Sequence, residues 1–260
     1  MMARLLVNRA CVLVTFGTML VWPIAARAQA KVEFFPDIRF ALEAERLGHE
    51  DTRLDWDANF FGEVDVLGWN GGRATFTMNY EVVLGSQLRR FDPNQGNYLL
   101  EGSVTHRIAG IEISGQFHHV SRHLADRLKF SPVDWNMLGV GVGGGMSRGR
   151  LSVQTHVDFR RTVEKSFVDY SQEAEGNLGV RFDLGSRTAL ISNTRLRVVG
   201  TDGTRGRGTL VGVRSEGGVR LAGTGAVVEL FVAVERRIDP YPIQFASATW
   251  LAAGFRLLGG

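Results

Sequence analysis

From residue 31 onward, apolar and polar residues alternate with a period of two. In 54–66, Leu54, Trp56, Ala58, Phe60, Val64 and Val66 hold even positions, and Asp55, Asp57, Asn59, Glu63 and Asp65 hold odd ones. Successive side chains of a β-strand point to opposite faces, so this spacing predicts a strand with one apolar and one acidic face. The same split recurs in 74–82, where Phe76, Met78 and Tyr80 oppose Thr75, Thr77, Asn79 and Glu81. In 151–160, Leu151, Val153, Val157 and Phe159 oppose Ser152, Gln154, His156, Asp158 and Arg160. Along the whole chain the pattern predicts about twelve strands, near 32–46, 52–67, 73–85, 98–108, 111–121, 135–146, 149–162, 168–183, 187–200, 206–221, 225–236 and 245–257. Each reaches the roughly 9 to 11 residues that a tilted strand needs to cross a bilayer.

The connections alternate in length. After even-numbered strands they are short and glycine-rich, as in Gly68 to Gly72, Ala109-Gly110 and Ser147 to Gly149; after odd-numbered strands they tend to be longer and polar, as in Gln87 to Asn97, Arg122 to Val133 and Arg237 to Gln244. Short periplasmic turns with longer outer loops mark an outer-membrane barrel. A secreted β-sandwich would alternate too, but its inner face would be apolar. Here that face carries Asp37, Arg39, Glu43, Asp57, Glu63, Glu81, Glu173, Arg195, Arg197 and Glu229 among others. Such charges coexist only in a lumen, paired or solvated. The fold class is therefore all-β, a transmembrane antiparallel β-barrel of about twelve strands.

Composition agrees and adds a leader. The chain has 32 glycines and is 44% hydrophobic, which suits strands joined by tight turns. Arg4 and Arg9, the apolar run Ala10 to Ile24 and the small residues Ala26, Ala28 and Ala30 form the three parts of a secretory signal peptide, 1–30, with cleavage before Gln29 or Lys31. The barrel then occupies 31–260. Cys11 is the single cysteine and lies in the leader, so disulfides do not stabilise the mature chain. The leader also holds Arg4, Arg9 and Arg27 and no acid, leaving 27 charges of each sign and removing the basic excess that a nucleic-acid partner would need.

Chemistry concentrates in the hairpin Ile111 to Val142. On the fifth strand Ile111, Ile113, Gly115 and Phe117 share parity with His119 and Ser121, while Glu112, Ser114, Gln116 and His118 face the lumen. On the sixth, Leu138, Val140 and Val142 share parity with Asn136 and Asp134. His119, Ser121 and Asn136 are thus expected on the lipid-facing surface, near the outer leaflet. Polar groups facing lipid are costly unless satisfied or functional. A serine hydroxyl needs a base to take its proton, and a base works best when a third group orients it. His119 and Ser121 stand two apart on one strand face, and Asn136 is positioned to hold the second imidazole nitrogen.

These residues resemble the outer-membrane phospholipases A, twelve-stranded barrels with His-x-Ser on one strand and Trp-Asn on the next, matched here by His119-Val120-Ser121 and Trp135-Asn136. The resemblance implies hydrolysis of a membrane-lipid acyl ester, with Ser121 as nucleophile, His119 as base and Asn136 orienting it. It also implies calcium, with Asp126 at the offset of the family's calcium-associated acid, and a homodimer in contact with outer-membrane lipids and lipopolysaccharide. Arg122 stands where the family has Asn after the serine. The stretch His119 to Asp126 also resembles a motif of bacterial outer-membrane barrels with no established activity. The lipid A deacylases, smaller barrels, use a similar His-x-Ser with an acidic third member, a role for which Asp134 is the candidate.

Other readings remain open on sequence alone. Trp135 and the histidines belong equally to an interfacial aromatic girdle in a non-catalytic barrel, and the charged lumen admits a porin or transporter. His156 beside Asp158 reads as a hydrogen-bonded interior residue, and Asp55, Asp57 and Asp65 as partners of lumen arginines. Arg122, Arg127 and Lys129 cluster in the outer loop. The run Gly139 to Gly145 makes room between strands and, lacking a following Lys-Ser/Thr, is not a phosphate loop.

Overall fold

The computed structural model describes residues 32–259, so the signal peptide expected at 1–30 lies outside the described residues. Twelve strands form: β1 (Glu33–Gly48), β2 (Trp56–Trp69), β3 (Gly72–Gly85), β4 (Asp92–Ile108), β5 (Ile111–Leu124), β6 (Val133–Arg148), β7 (Leu151–Ser166), β8 (Tyr170–Asp183), β9 (Thr188–Thr201), β10 (Leu210–Ala222), β11 (Val227–Arg237) and β12 (Ala248–Gly259). Each pairs antiparallel with its sequence neighbours, and β1 closes on β12 with Phe40 opposite Gly259 and Glu43 opposite Arg256. Closure removes the free sheet edge over Phe40 to Gly48, the condition for β-structure in lipid.

The turns show why each hairpin forms. Between β4 and β5, Ala109 and Gly110 have φ of 50° and 87°, the left-handed pair that matches the twist of a two-residue hairpin. With short turns on the periplasmic side, β5 ascends toward the outer loops and β6 descends. The outward face is predominantly apolar, with Phe76, Phe117, Leu138, Val140, Phe159, Leu230 and Leu251 all exposed.

Inside, the lumen is layered. At the outer end, side chains form two apolar clusters: Leu47, Leu54, Val83, Phe231, Trp250 and Ala252 in one, and Val133, Trp135, Met137, Val168, Tyr170, Val199 and Ile238 in the other. Below them runs a belt of ion pairs. Arg214 binds Glu45 at 2.8 Å and Glu216 at 3.1 Å, Arg237 binds Asp57 at 2.7 Å and Glu81 at 3.0 Å, and Arg256 binds Glu229 at 2.8 Å. Pairing offsets the cost of removing these charges from water. Nearer the periplasm a polar cavity of about 1200 Å³ opens between Arg39, Arg73, Gly143 and Arg195.

Three expectations need correcting. The second strand starts at Trp56 rather than 52, because the turn before it folds inward and buries Leu54 at 3% exposure instead of turning it to lipid. Asp55 accordingly leaves the lumen column and pairs with Arg46. The fourth strand starts at Asp92 rather than 98. Its first residues read as loop because Asp92, Asn94, Gln95 and Asn97 are polar, yet all four are buried inside the barrel mouth.

Candidate functional site: a polar cluster on the lipid-facing side of β5, β6 and β7

β5 and β6 pair in a register that sets His119 opposite Asn136, Val120 opposite Trp135 and Ser121 opposite Asp134. The parity read from sequence holds. His118 turns into the lumen, where Nδ1 lies 2.8 Å from Glu101 Oε2, while His119 lies on the outside with Phe117. Trp135 is buried in the lumen, edge-on to Tyr170 at 5.1 Å, and does not join the outer girdle.

His119 Nδ1 is 2.7 Å from Asn136 Oδ1, and Asn136 Nδ2 donates in turn to Glu164 Oε2 on β7 at 3.0 Å. Asp134 does not take this place. The Ser121 hydroxyl is hydrogen-bonded at 2.8 Å to Nε2 of His123, not to His119. Ser121 therefore stands between two imidazoles on one strand face, each two residues away, and is bonded to the outer one. Next to this group an aromatic row crosses β2 to β4. Phe60 meets Tyr80 at 6.3 Å, Tyr80 stacks on Tyr98 at 4.8 Å, and Tyr98, directly opposite Ser121, meets His123 edge-on at 5.5 Å. Tyrosines, with one apolar and one wet end, are enriched at the bilayer interface, and this row runs directly beside the cluster.

The loop cations are used structurally. Arg122 faces the lumen and donates to Asp239 O at 2.6 Å, Pro240 O at 3.0 Å and Gln95 Oε1 at 3.1 Å. It ties down the β11–β12 connection, whose residues Ile238 to Pro242 are buried across the barrel mouth. Asp239 in the same segment takes Arg207 at 2.8 Å and the Tyr170 hydroxyl at 2.7 Å. Arg127 binds Asp92 at 2.6 Å, and Lys129 donates to Arg122 O at 2.5 Å.

A calcium ion requires several oxygen donors converging on one point. Asp126 is 67% exposed at the loop tip and faces Arg89 at 3.6 Å, and among the described residues no cluster of three or more His, Cys, Asp or Glu could hold a metal. The residues around Asp126 do not fit a carboxylate calcium site.

Sequence reasoning missed two members of the cluster. His123 has the outward parity of His119 and was legible. Glu164 was not: its even number groups it with the lumen-facing Asp158 and Arg160, but a β-bulge intervenes, with Asn136 opposite Glu164 and Met137 already opposite Thr162. The extra residue returns Glu164 to the outer surface, where it is exposed.

No protein-family model matches the chain, and no curated protein matches it in sequence. Solved structures do. The outer membrane phospholipase A from Escherichia coli superposes with a TM-score of 0.53 at 14% identity, covering 86% of this chain and 92% of that one. The Salmonella typhi outer membrane phospholipase dimer with bound calcium gives 0.53 at 13%, covering 87% and 91%. LpxR from Salmonella typhimurium gives 0.50 at 8%, covering 85% and 99%. At these identities the likeness is one of fold: the chain is a closed twelve-stranded β-barrel of the bacterial outer membrane.

Proposed function

We propose that this barrel is an outer-membrane acyl-ester hydrolase of the phospholipase A type, working on membrane lipid from its outer surface. The observation that carries the reading is the 2.7 Å bond between His119 and Asn136 on a lipid-facing strand pair, with Ser121 two residues further on the same face. An imidazole, a carboxamide and a hydroxyl gathered on a lipid-facing wall are costlier there than the apolar side chains around them, which a catalytic use would account for.

The residues divide the chemistry. Ser121 Oγ attacks the ester carbonyl, and His119 Nε2 takes the proton and returns it to the leaving alcohol. Water deprotonated by His119 then cleaves the acyl-serine to release the fatty acid and restore the hydroxyl, with Asn136 holding Nδ1 throughout. A staggered χ1 change swings the hydroxyl from His123 to His119. His123 then serves as the resting partner that keeps the hydroxyl satisfied between turnovers. Interfacial placement beside Tyr98 brings the ester of a bilayer lipid to the serine without extracting it.

Purified protein in phospholipid mixed micelles is expected to release fatty acid, and Ser121→Ala to abolish the release. Release unchanged by the substitution would refute the assignment.

A further inference from the structure

We propose that Glu164 is a fourth, positioning member of the site, and that it sets the polarity of the chain of hydrogen bonds that makes His119 a base. The inference rests on the reading of Ser121, His119 and Asn136 as a hydrolytic site.

A carboxamide is pseudo-symmetric. Asn136 can present either oxygen or nitrogen to His119, and the two orientations have opposite consequences. With oxygen toward the ring, Nδ1 must carry the proton and Nε2 has its lone pair free for the serine. With nitrogen toward the ring, Nδ1 accepts, Nε2 carries the proton, and His119 cannot act as a base. Nothing in the His119–Asn136 pair itself chooses between them.

Glu164 chooses. Its Oε2 lies 3.0 Å from Asn136 Nδ2, and a carboxylate can only accept. It therefore fixes Nδ2 toward β7, which turns Oδ1 toward His119 at 2.7 Å, which in turn places the proton on Nδ1. Each assignment forces the next.

The backbone is built to deliver this side chain. An unbroken β7 would aim Glu164 at the lumen with Arg160. The bulge opposite Asn136 and Met137 re-aims it outward at the one step where it meets Asn136. Val163, also exposed beside it, occupies the extra position. At the outer rim of the barrel a carboxylate facing the interface costs little.

Two substitutions read this out in the folded barrel. Glu164→Lys replaces the acceptor with a donor, so the Lys ammonium attracts Oδ1, Nδ2 turns to His119 and the tautomer inverts. Glu164→Gln puts a second pseudo-symmetric amide there, which can accept from or donate to Asn136, so its loss of activity is expected to fall between the wild type and Glu164→Lys. We expect kcat to fall at least about tenfold in Glu164→Lys with KM little changed, since wrong-tautomer defects act on the chemical step. Independently of activity, 15N-histidine spectra in micelles, with the His119 signals assigned by their loss in His119→Ala, should show Nδ1–H in the wild type and Nε2–H in Glu164→Lys. An Nε2–H tautomer in the wild type, or identical spectra in both, overturns the proposal. Inversion of the tautomer in a protein that releases no fatty acid in either form would uphold the role of Glu164 in orienting Asn136 and refute the hydrolase reading instead.

Discussion

The Ser121 hydroxyl is bonded to His123 Nε2 at 2.8 Å, while His119, two residues the other way, is engaged by Asn136 at 2.7 Å. The serine is thus parked on one imidazole while the other is held in place by neighbouring strands. Of the two imidazoles His119 has the orienting partner, and on the proposed reading it is the base and His123 the resting partner. His123→Ala should leave kcat within about fivefold, whereas His119→Ala should lower it by about a thousandfold or more, as loss of a triad base does. Initial rates in mixed micelles decide it; the reverse ranking would make His123 the base.

Arg122 and Ser121 are adjacent in sequence and lie on opposite sides of the barrel wall. The arginine that departs from the phospholipase pattern belongs to the lumen, where it anchors Asp239 and Pro240. Arg122→Asn is therefore expected to leave fatty-acid release within about threefold, and to destabilise the barrel by about 1–2 kcal/mol, since Asp239 O loses its donor while Pro240 O keeps Gln95 Nε2. Urea unfolding in lipid vesicles measures the second effect.

The lumen column of β6 glycines tests the packing. A Cβ on Gly139 would stand 2.7 Å from Phe159 O and 2.8 Å from Arg160 Cγ, so backbone or a buried ion pair must move. On β5, Gly115 faces lipid with nothing within 4 Å. Gly139→Ala should cost about 1–3 kcal/mol of unfolding free energy and Gly115→Ala close to none, read from the same urea transitions.

How the sequence failed is as physical as how it succeeded. Period-two alternation located all twelve strands because lipid enforces an apolar outer face on every one of them. It also set His119 opposite Asn136, since face parity and strand pairing were enough, but did not foresee that the Ser121 hydroxyl bonds to His123 rather than to His119. It misread Asp92 to Asn97, because a polar run buried in a wet barrel mouth looks like a loop. It placed Leu54 outside and left the burial of Ile238 to Pro242 unforeseen, because inward-folded connections have no periodicity. Glu164 stayed hidden because a bulge reverses parity without leaving a mark in composition.

Asp126 supplies a further test. Its exposed carboxylate faces Arg89 at 3.6 Å, and among the described residues it joins no cluster of three or more His, Cys, Asp or Glu that could hold a metal. Asp126→Asn should therefore leave the rate and its response to added calcium unchanged within about twofold, measured by titrating calcium into the micelle assay. A loss restored by higher calcium would place a metal at this loop after all.

The central claim is that Ser121 is a nucleophile activated from the lipid-facing surface, and covalent labelling tests it most directly. An alkyl fluorophosphonate, which reacts with activated serines and spares ordinary hydroxyls, should add one label per chain, located on Ser121 by peptide mass spectrometry and suppressed in His119→Ala. A folded barrel that takes no label, or takes it equally well without His119, would contradict the account.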